Sequence, residues 1–421
     1  MIIDIPEEKQ VIINAIRARH NICVTGAAGT GKSFLLKMVK DHFPHIHVTA
    51  STGVAAVNIG GVTIHSWAGI GKGTLPPSEV IKFINSGPGT KIRRQIRKAK
   101  LLAIDEISMI SASVMNLLDQ VFQAIRQNDL PFGGIQILVI GDFFQLPPVS
   151  QDNQVDFCFI SDAWQSANFK LFELTEIYRQ SDLRFIQLLN NIRHAALNEE
   201  DIQLLSDRQT INLSSEINPT ILVTHNYQAD QINIEKLNAI ISQEEVEFKM
   251  KESGRENSIE FLKKNCLAQA SLVLKIGAQV MMLKNTLQKQ GIINGSIGIV
   301  TGFTKNKFPI VKFHNGELCV ISPEVWSVEV YNETTEEIEI TASITQIPLA
   351  LAWAITIHKS QGMTLDSVLC DLSRIFTEGQ AYVALSRVKS LDGLYIKGFK
   401  PSSLRVNKQV IEFYNNYYSN D

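Results

Sequence analysis

The feature that most constrains this chain is a glycine-rich segment at residues 26–33 (GAAGTGKS). Residues 21–25 before it are apolar enough for a buried strand, and residues 33–42 after it have the periodicity of a helix. Strand, glycine loop and helix in this order are typical of a phosphate-binding loop. The glycines let successive N–H groups face phosphate oxygens, and the helix N-terminus adds partial positive charge. The segment therefore predicts an α/β fold that binds a nucleoside triphosphate.

The side chains of this loop have separate expected roles. Lys32 is expected to reach the outer phosphates, and Ser33 to hold Mg²⁺. The residues expected to line the nucleotide are Gly26, Ala27, Ala28, Gly29, Thr30, Gly31, Lys32, Ser33 and Phe34. Upstream of the loop, Gln10 either reads the adenine edge with its amide or is an exposed helix glutamine, and the sequence leaves both open.

Polar residues follow two further apolar strands. Short strands at 47–50, 101–104 and 135–140 alternate with helices, which predicts a parallel sheet with both faces covered. Asp105 and Glu106 lie at the carboxyl end of one strand, and parallel sheets bind their ligands at this edge. We expect Asp105 to hold Mg²⁺ through water and Glu106 to orient and deprotonate the attacking water. Gln145, after the next strand, is expected to sense the terminal phosphate.

Composition divides the rest of the chain. Glycines and prolines between residues 71 and 100 predict a small insertion, which ends in a helix with six basic residues among 91–100. That basic stretch is either a solvated face or a duplex contact. A second α/β unit begins near residue 175, and alternating apolar residues at 295–346 predict inserted antiparallel strands. The expected division is 1–71 and 99–174 for the first domain, 72–98 for its insertion, 175–294 and 347–421 for the second domain, and 295–346 for its β insertion.

Length, charge and cysteine content restrict the class of protein that this chain can be. At 421 residues, two or three domains are expected. The formal charge of −2 means that any nucleic-acid contact must lie in a local channel. Five scattered cysteines match no metal or redox motif, no apolar run reaches the ~20 residues of a membrane span, and the acidic N-terminus is unlike a signal peptide. We therefore expect a cytoplasmic, soluble protein without a membrane partner, and a monomer, since no heptad seam is visible.

Two arginines in the second half are candidates for a second source of positive charge at the γ-phosphate. Phosphoryl transfer benefits from cations supplied by another element, and Arg179 and Arg387 suit this role. If both belong to the second α/β unit, ATP would be held between two domains that close on binding and open after hydrolysis. Gln361 and Gly362 are expected near the same cleft.

Several stretches resemble the Pif-type (petite integration frequency) DNA helicases, the 5′→3′ branch of superfamily 1 (superfamily 1B). The resemblance covers roughly residues 5–400. Its most diagnostic parts are residues 106–126 (EISMISASVMNLLDQVFQAIR) and 131–149 (PFGGIQILVIGDFFQLPPV), joined by 49–66, 294–296 and 349–364.

The resemblance implies two RecA-like P-loop NTPase domains with parallel sheets, a small wedge inserted in the first and an SH3-like β-barrel inserted in the second. ATP and Mg²⁺ are the implied cofactors, and the implied ATPase residues are Lys32, Ser33, Asp105, Glu106, Gln145, Arg179, Gln361 and Arg387. The implied DNA contacts are Thr52, Gly53, His65, Ser66, Phe144, Asn294, His358, Lys359 and Ser360. Repair, recombination and telomere maintenance are themes of the family, and the compact chain favours a bacterial or viral origin.

Three functions stay open at this point. The first is a motor that moves 5′→3′ on single-stranded DNA and unwinds tailed or forked duplex, with RNA–DNA hybrid or G-quadruplex as further substrates. The second is an ATP-gated single-strand clamp or translocase without unwinding. A nuclease- or relaxase-linked fragment ranks last because no second carboxylate cluster or tyrosine motif stands out. Core packing is favoured for Trp67 and Trp353, and of Phe143 and Phe144 one is expected to pack and the other to approach DNA.

Overall fold

The computed structural model describes residues 6–149, 155–209, 217–242, 244–332, 335, 337–375 and 377–418, and for Asn332 and Arg374 the backbone alone. Contacts divide the chain into two compact units. The first comprises Met1–Tyr178, Ser327–Thr341 and Lys408–Asp421, and the second comprises Arg179–Trp326 and Ala342–Asn407. Within the described residues, no helix combines the length and hydropathy that crossing a bilayer requires.

The first unit is built on a parallel six-stranded sheet. Its strands lie in the order Val62–Thr63, His47–Ala50, Leu101–Asp105, Gln136–Ile140, Ile22–Gly26 and Lys170–Leu174. The helices are Glu7–Arg17, Lys32–His42, Gly53–Asn58, Ile64–Ala68, Pro77–Asn85, Thr90–Lys98, Ala112–Arg126, Asp162–Ala167 and Lys408–Tyr418, and single 3₁₀ turns occur at Ile107–Met109, Pro131–Gly134 and Cys158–Ile160. The predicted α/β fold with a parallel sheet is confirmed in this unit.

The register of this sheet brings three strand ends together. Asp105 is opposite Ile140, and Ile140 is opposite Val24 in the strand that leads into the glycine loop. Strands Ile22–Gly26 and Leu101–Asp105 are buried along their whole length, because apolar residues of the flanking helices, such as Leu36 and Val39, cover them. The loop, the carboxylate pair and the Gly141–Asp142 turn therefore start from one edge of one sheet.

Residues 72–98, expected as an insertion, form two short helices. Pro77–Asn85 begins with proline at its first position, and Val80 and Ile84 are its buried residues. Thr90–Lys98 buries Ile96, while most of its basic side chains lie at or near the surface. Both helices pack close to Ala112–Arg126.

The second unit contains a parallel sheet and several antiparallel ones. The parallel sheet has the order Ala354–Thr356, Thr220–Val223, Val368–Asp371 and Leu394–Gly398. A five-stranded antiparallel sheet has the order Leu318–Val320, Pro309–Phe313, Ile297–Phe303, Gln279–Met282 and Leu349–Leu351. Ser271–Lys275 pairs with Glu245–Lys249, and Lys251–Gly254 with residues 342–345. The strands Glu324–Asn332 and Glu337–Gln346 neighbour each other, and each is divided between the residue ranges of the two units. The helices are Leu183–Arg193, Glu199–Asp207, Asn226–Asn238, Glu256–Asn265 and Gln380–Leu385, with 3₁₀ turns at Gln288–Gln290, Leu372–Arg374, Leu391–Gly393 and Pro401–Ser403.

Two elements differ from the expectation. Residues 279–282 lie in the range 175–294 expected for the second domain, but they form a strand that pairs antiparallel with Ile297–Phe303, in the expected β insertion, and with Leu349–Leu351. A short apolar run does not reveal its partner strand, which explains the difference. The helix Lys408–Tyr418, expected in the second domain, belongs to the first unit, where its aromatic face is covered by phenylalanines distant in sequence.

Candidate nucleotide site and DNA-contact residues

The glycine loop has the backbone that its sequence predicts. Gly26, Gly29 and Gly31 have φ angles of +150°, +90° and +85°, which residues with a side chain rarely adopt. A Cβ on Gly26 would lie 2.7 Å from the carbonyl oxygen of Leu174. Gly31 is the cap residue at which helix Lys32–His42 begins, so the N–H groups of the first turn point toward the loop. The loop is therefore a tight cradle for an anion.

The side chain of Lys32 folds back onto the glycine loop. Its Nζ donates hydrogen bonds to the carbonyl oxygens of Gly26, at 2.7 Å, and Ala27, at 3.0 Å. The buried Thr30 hydroxyl donates to Ala27 from the other side, at 2.9 Å. Ser33 and Phe34 are exposed in the first turn of the helix. The loop thus holds its lysine beside the N–H groups that would meet phosphate oxygens.

The carboxylate pair is held by its own backbone. Asp105 is buried, and its Oδ1 accepts the N–H of Glu106 at 2.9 Å. Burial first, and then the negative charge of Glu106, raise the pKa of Asp105 to about 7, while that N–H and the charge of Lys32 act in the opposite direction.

Glu106 occupies a left-handed backbone conformation. Its φ is +54°, a strain that persists only where the surroundings enforce it. Ser51 Oγ donates to the carbonyl oxygen of Glu106 at 2.8 Å, and so helps to hold this turn. The side chain remains partly exposed.

A buried aspartate that the sequence did not single out fixes the predicted sensor residue. Asp142 is fully buried, and its Oδ2 accepts the side-chain amide of Gln145 at 3.3 Å. The other oxygen, Oδ1, accepts the N–H of Phe144 at 3.3 Å, and the Gln145 N–H donates to the Asp142 carbonyl at 2.9 Å. We define residues 141–145 as the sensor loop. The signal for Asp142 was its place directly after an apolar strand.

Lys9 and Tyr178 also adjoin the glycine loop, although the sequence assigned neither a role. The Tyr178 N–H donates to the carbonyl oxygen of Gly29 at 2.9 Å, and its ring lies 3.6 Å from where a Cβ on Gly31 would be. Lys9 is only 1% exposed; its Nζ lies 3.1 Å from Tyr178 Oη, 4.6 Å from the ring centroid and 3.6 Å from Oε1 of Glu8. Tyr178 belongs to the YRQ segment, in which Arg179 alone was chosen, whereas no signal in the sequence distinguished Lys9.

Gln10 bonds within its own helix. Its Nε2 donates to Asn14 Oδ1 at 3.2 Å, and the side chain is partly exposed. This contact is what an ordinary helix glutamine makes, so the adenine-reading role stays a prediction.

In the second unit, Arg179 of the YRQ segment contacts residues close to Gln361 and Arg387. Arg179 Nε donates to Thr364 Oγ1 and its Nη1 to the Ser386 carbonyl oxygen, both at 3.0 Å. Arg387 is 1% exposed, with Nε 2.7 Å from the Val383 carbonyl oxygen and Nη2 2.7 Å from Ser386 Oγ. Both predicted arginines therefore contact Ser386.

Gln361 and Gly362 lie in the loop that leads to Thr364. Gln361 is partly buried and donates its N–H to the His358 carbonyl oxygen at 3.3 Å. Gly362 is exposed, with φ at +78° and open space around its Cβ position. Their expected place near a nucleotide stays a prediction.

In the first unit, four of the predicted DNA contacts lie on two neighbouring short helices and one is buried. Thr52 caps the helix that starts at Gly53, accepting the Ala55 N–H at 3.3 Å. His65, whose pKa is lowered by burial, and the exposed Ser66 lie in Ile64–Ala68. Phe144 differs from the expectation, since it is 4% exposed and stacks on a tyrosine of helix Lys408–Tyr418. Because its partner comes from the distant end of the chain, the sequence could not reveal this burial.

In the second unit, the four predicted contacts differ in exposure. His358 is exposed, and Lys359 and Asn294 are partly buried. Ser360 differs from the expectation, because it is fully buried and its hydroxyl donates to the Ile357 carbonyl oxygen at 2.8 Å within its own turn. Core packing is confirmed for Trp67 and Trp353, which are 4% and 7% exposed.

Comparison with known proteins identifies the family. Residues 5–203 match the PIF1-like helicase family, and residues 257–303 match the 2B domain of DNA helicase Pif1. Relatives include the ATP-dependent DNA helicase PIF1 of Xenopus laevis, 40% identical over 97% of this chain and 63% of the relative, and that of Bdellovibrio bacteriovorus, 36% identical over 99% and 92%.

Solved structures of a bacterial relative agree with this match. The crystal structure of Bacteroides sp Pif1 in complex with ADP-AlF4 has a TM-score of 0.88 at 34% identity, and covers 99% of this chain and 98% of that one. The Bacteroides Pif1 helicase in complex with ADP-AlF3 and ssDNA, with the same identity and the same coverage, has a TM-score of 0.67. The chain spans about 63% of the length of the vertebrate relatives that it matches, but nearly all of the bacterial one. With its glycine loop, carboxylate pair and matches of this extent, the chain belongs to the PIF1-like helicase family.

Proposed function

We propose that this chain is an ATP-driven motor that moves 5′→3′ along single-stranded DNA and separates duplex DNA. The observation that carries the proposal is the common sheet edge at which the glycine loop, Asp105, Glu106 and the sensor loop begin. A phosphate cradle, a carboxylate pair and a fixed amide at one edge are what an enzyme that binds and hydrolyses a nucleotide needs. The relatives named ATP-dependent DNA helicase, and the Pif1 structures with ADP-AlF4 and with ssDNA, support the choice of ATP and DNA.

The proposed chemistry uses the contacts already described. The N–H groups of the loop bind the phosphates, and Lys32 exchanges its carbonyl partners for phosphate oxygens. Glu106 accepts a proton from water as that water's oxygen attacks the γ-phosphorus, and the bond from this phosphorus to the bridging oxygen of ADP breaks. Gln145, held by Asp142, donates to the γ-phosphate before hydrolysis and loses that partner afterwards.

The residues present fit a magnesium ion. Asp105 is a buried carboxylate, and burial and the negative charge of Glu106 raise its pKa, so a bound cation would stabilise its ionised form. Among the described residues no group of three or more histidine, cysteine, aspartate or glutamate side chains suits a metal, so Ser33 and Asp105 would hold Mg²⁺ together with nucleotide oxygens and water. When bound, the ion supplies charge neutralisation at the phosphates.

The DNA side of the proposal rests on exposed residues in motifs that resemble the family. Ser66 and His358 are exposed, and the overall charge of −2 calls for contacts in a local channel rather than over a basic surface. Contacts would be mostly to the phosphate backbone, with weak sequence preference. The roles of Arg179 and Arg387 at the γ-phosphate, a monomeric state and a cytoplasmic location stay predictions.

Strand separation on matched duplexes tests the proposal. One duplex carries a 5′ single-stranded tail and the other a 3′ tail, and Lys32→Ala is the control without ATP hydrolysis. We expect ATP-dependent separation of the 5′-tailed duplex alone. ATP hydrolysis stimulated by single strands without separation of either duplex would favour the clamp or translocase. Absence of stimulated hydrolysis in the wild-type chain would overturn the proposal.

A further inference from the structure

The helix Lys408–Tyr418 contributes an aromatic face to the core of the first unit. Phe413 stacks on Phe159, with ring centroids 4.5 Å apart, and meets Phe143 edge-on at 5.4 Å. At the far end of the helix, Tyr417 Oη donates to the Leu171 carbonyl oxygen at 2.7 Å. The helix is therefore fixed at several points, and Tyr414 between them is held in one place.

Tyr414 contacts a residue of the sensor loop and a residue beside the glycine loop. It is 2% exposed, and its ring stacks on Phe144 with centroids 4.8 Å apart and planes 11° from parallel. Its hydroxyl forms a hydrogen bond with Oγ1 of Thr25. Phe144 precedes Gln145 in the sensor loop, and Thr25 precedes Gly26 in the glycine loop. One side chain thus contacts the neighbours of both.

The sensor loop needs support on the side that Tyr414 covers. Asp142 accepts the Phe144 N–H and the side-chain amide of Gln145, both at 3.3 Å, which are long hydrogen bonds, whereas the Gln145 N–H donates to the Asp142 carbonyl oxygen at 2.9 Å. The backbone bond closes the turn, but the two long bonds hold the Phe144 backbone and the Gln145 side chain only weakly, so packing must add restraint. The Phe144 ring, closed in by Tyr414, supplies that restraint.

We propose that Tyr414 is a positioning residue for ATP hydrolysis, which sets the sensor loop against the strand that leads into the glycine loop. The inference rests on the proposed ATP hydrolysis, and it adds to that function a residue outside the segments that bind the nucleotide. The side chain acts through Phe144 and Thr25. Its loss should therefore change the rate of the chemical step more than the affinity for ATP.

Three variants separate this role from simple support of the fold. Tyr414→Leu removes the stack and the hydroxyl, whereas Tyr414→Phe keeps the stack. Tyr417→Leu is the matched control, since it removes a tyrosine of the same helix whose hydroxyl donates to the Leu171 carbonyl oxygen. We measure kcat and KM for ATP with saturating single-stranded DNA, and amide hydrogen exchange of residues 141–146 without nucleotide.

We expect Tyr414→Leu to lower kcat about tenfold, which is the loss of ~1.4 kcal/mol at the transition state, with KM within about twofold. A loss of this size is expected because a stacked aromatic pair contributes an amount of this order. Tyr414→Phe, which keeps the stack, should have a kcat within about threefold of the wild type, and Tyr417→Leu should have the kcat of the wild type. Exchange at 141–146 should rise in Tyr414→Leu and not in Tyr417→Leu.

Two results would overturn the inference: unchanged kcat and exchange in Tyr414→Leu, or equal losses in Tyr417→Leu. If the wild-type chain does not hydrolyse ATP, the proposed function fails and the role in hydrolysis fails with it. Hydrogen exchange would then still decide whether Tyr414 positions the sensor loop. If Tyr414→Leu does not fold, Phe144→Leu removes the same stack from its other side, and it should give the same split between kcat and KM.

Discussion

Replacing Gly26 by alanine tests the geometry of the glycine loop directly. The φ of +150° at this position is strained for any residue with a Cβ, at a cost of ~1–3 kcal/mol. The new methyl group would also lie 2.7 Å from the Leu174 carbonyl oxygen and 2.8 Å from Thr30 Oγ1. Because the first of these atoms is backbone, the loop must move away from strand Lys170–Leu174, and overpacking of this kind adds ~1–3 kcal/mol.

Gly71 provides a matched control. Its φ of +59° is also positive, but no atom lies within 4 Å of its Cβ position. Gly71→Ala should therefore lose only the backbone term, ~1–2 kcal/mol for a left-handed residue. Gly26→Ala should lose about 2–6 kcal/mol, the sum of strain and overlap. It should also bind ATP at least about tenfold more weakly, because Gly26 and Ala27 form the cradle.

Urea unfolding and titration with ATP measure the two effects. The free energies of unfolding are compared for the wild type and both variants without nucleotide, and ATP affinity is compared under conditions where all three are folded. If Gly26→Ala were no less stable than Gly71→Ala and bound ATP as the wild type does, the overlap with Leu174 and the role of the loop would both be refuted.

Two further changes test buried charges at the site. Burial raises the pKa of Asp105 from 3.8 to about 7, so between these pH values the unfolded chain has released a proton that the folded chain keeps, and stability falls as the pH rises through the interval. Without nucleotide or Mg²⁺, Asp105→Asn should therefore raise the melting temperature above that of the wild type by more at pH 8 than at pH 5. An equal rise at both pH values would contradict this reasoning. Lys9→Met removes a buried cation that Tyr178 and the partly exposed Glu8 contact, so we expect urea unfolding to show a loss of about 1–3 kcal/mol, because a buried hydrogen-bond partner is left unsatisfied. The exposed Lys37→Met should change the free energy of unfolding little, and equal effects of the two variants would refute a role for burial.

The local sequence was enough to predict the glycine loop, the strand and helix that flank it, and the carboxylate pair. The loop 26–33 lies between an apolar run and a helical pattern, and the structure forms strand Ile22–Gly26 and helix Lys32–His42 around it. Asp105 and Glu106 could be chosen because they directly follow a buried strand. Each of these depends on neighbours within a few residues, which is the range over which periodicity and turn residues carry information.

Contacts between distant residues could not be predicted in this way. One of Phe143 and Phe144 was expected to approach DNA, but both are buried, and the ring that covers Phe144 belongs to Tyr414, 270 positions later in the chain. The burial of Lys9 depends on Tyr178, which is 169 residues away. Gln279–Met282 lies in the range expected for the second domain, but its partner strands Ile297–Phe303 and Leu349–Leu351 place it in an antiparallel sheet. In each case the residues that determine the burial or the strand pairing lie far away in the sequence, so the local pattern does not reveal them.

The return of helix Lys408–Tyr418 to the first unit has a consequence for synthesis of the chain. Phe143 and Phe159 leave the ribosome long before the helix that covers them. Roughly 240 residues separate Tyr178 from Tyr418, which takes about 12–50 s at ~5–20 residues per second. For that interval the first unit presents an aromatic surface without its cover. Nascent chains should therefore depend on chaperones until the last helix emerges, and chains that stop before residue 408 should aggregate rather than fold as a shorter enzyme.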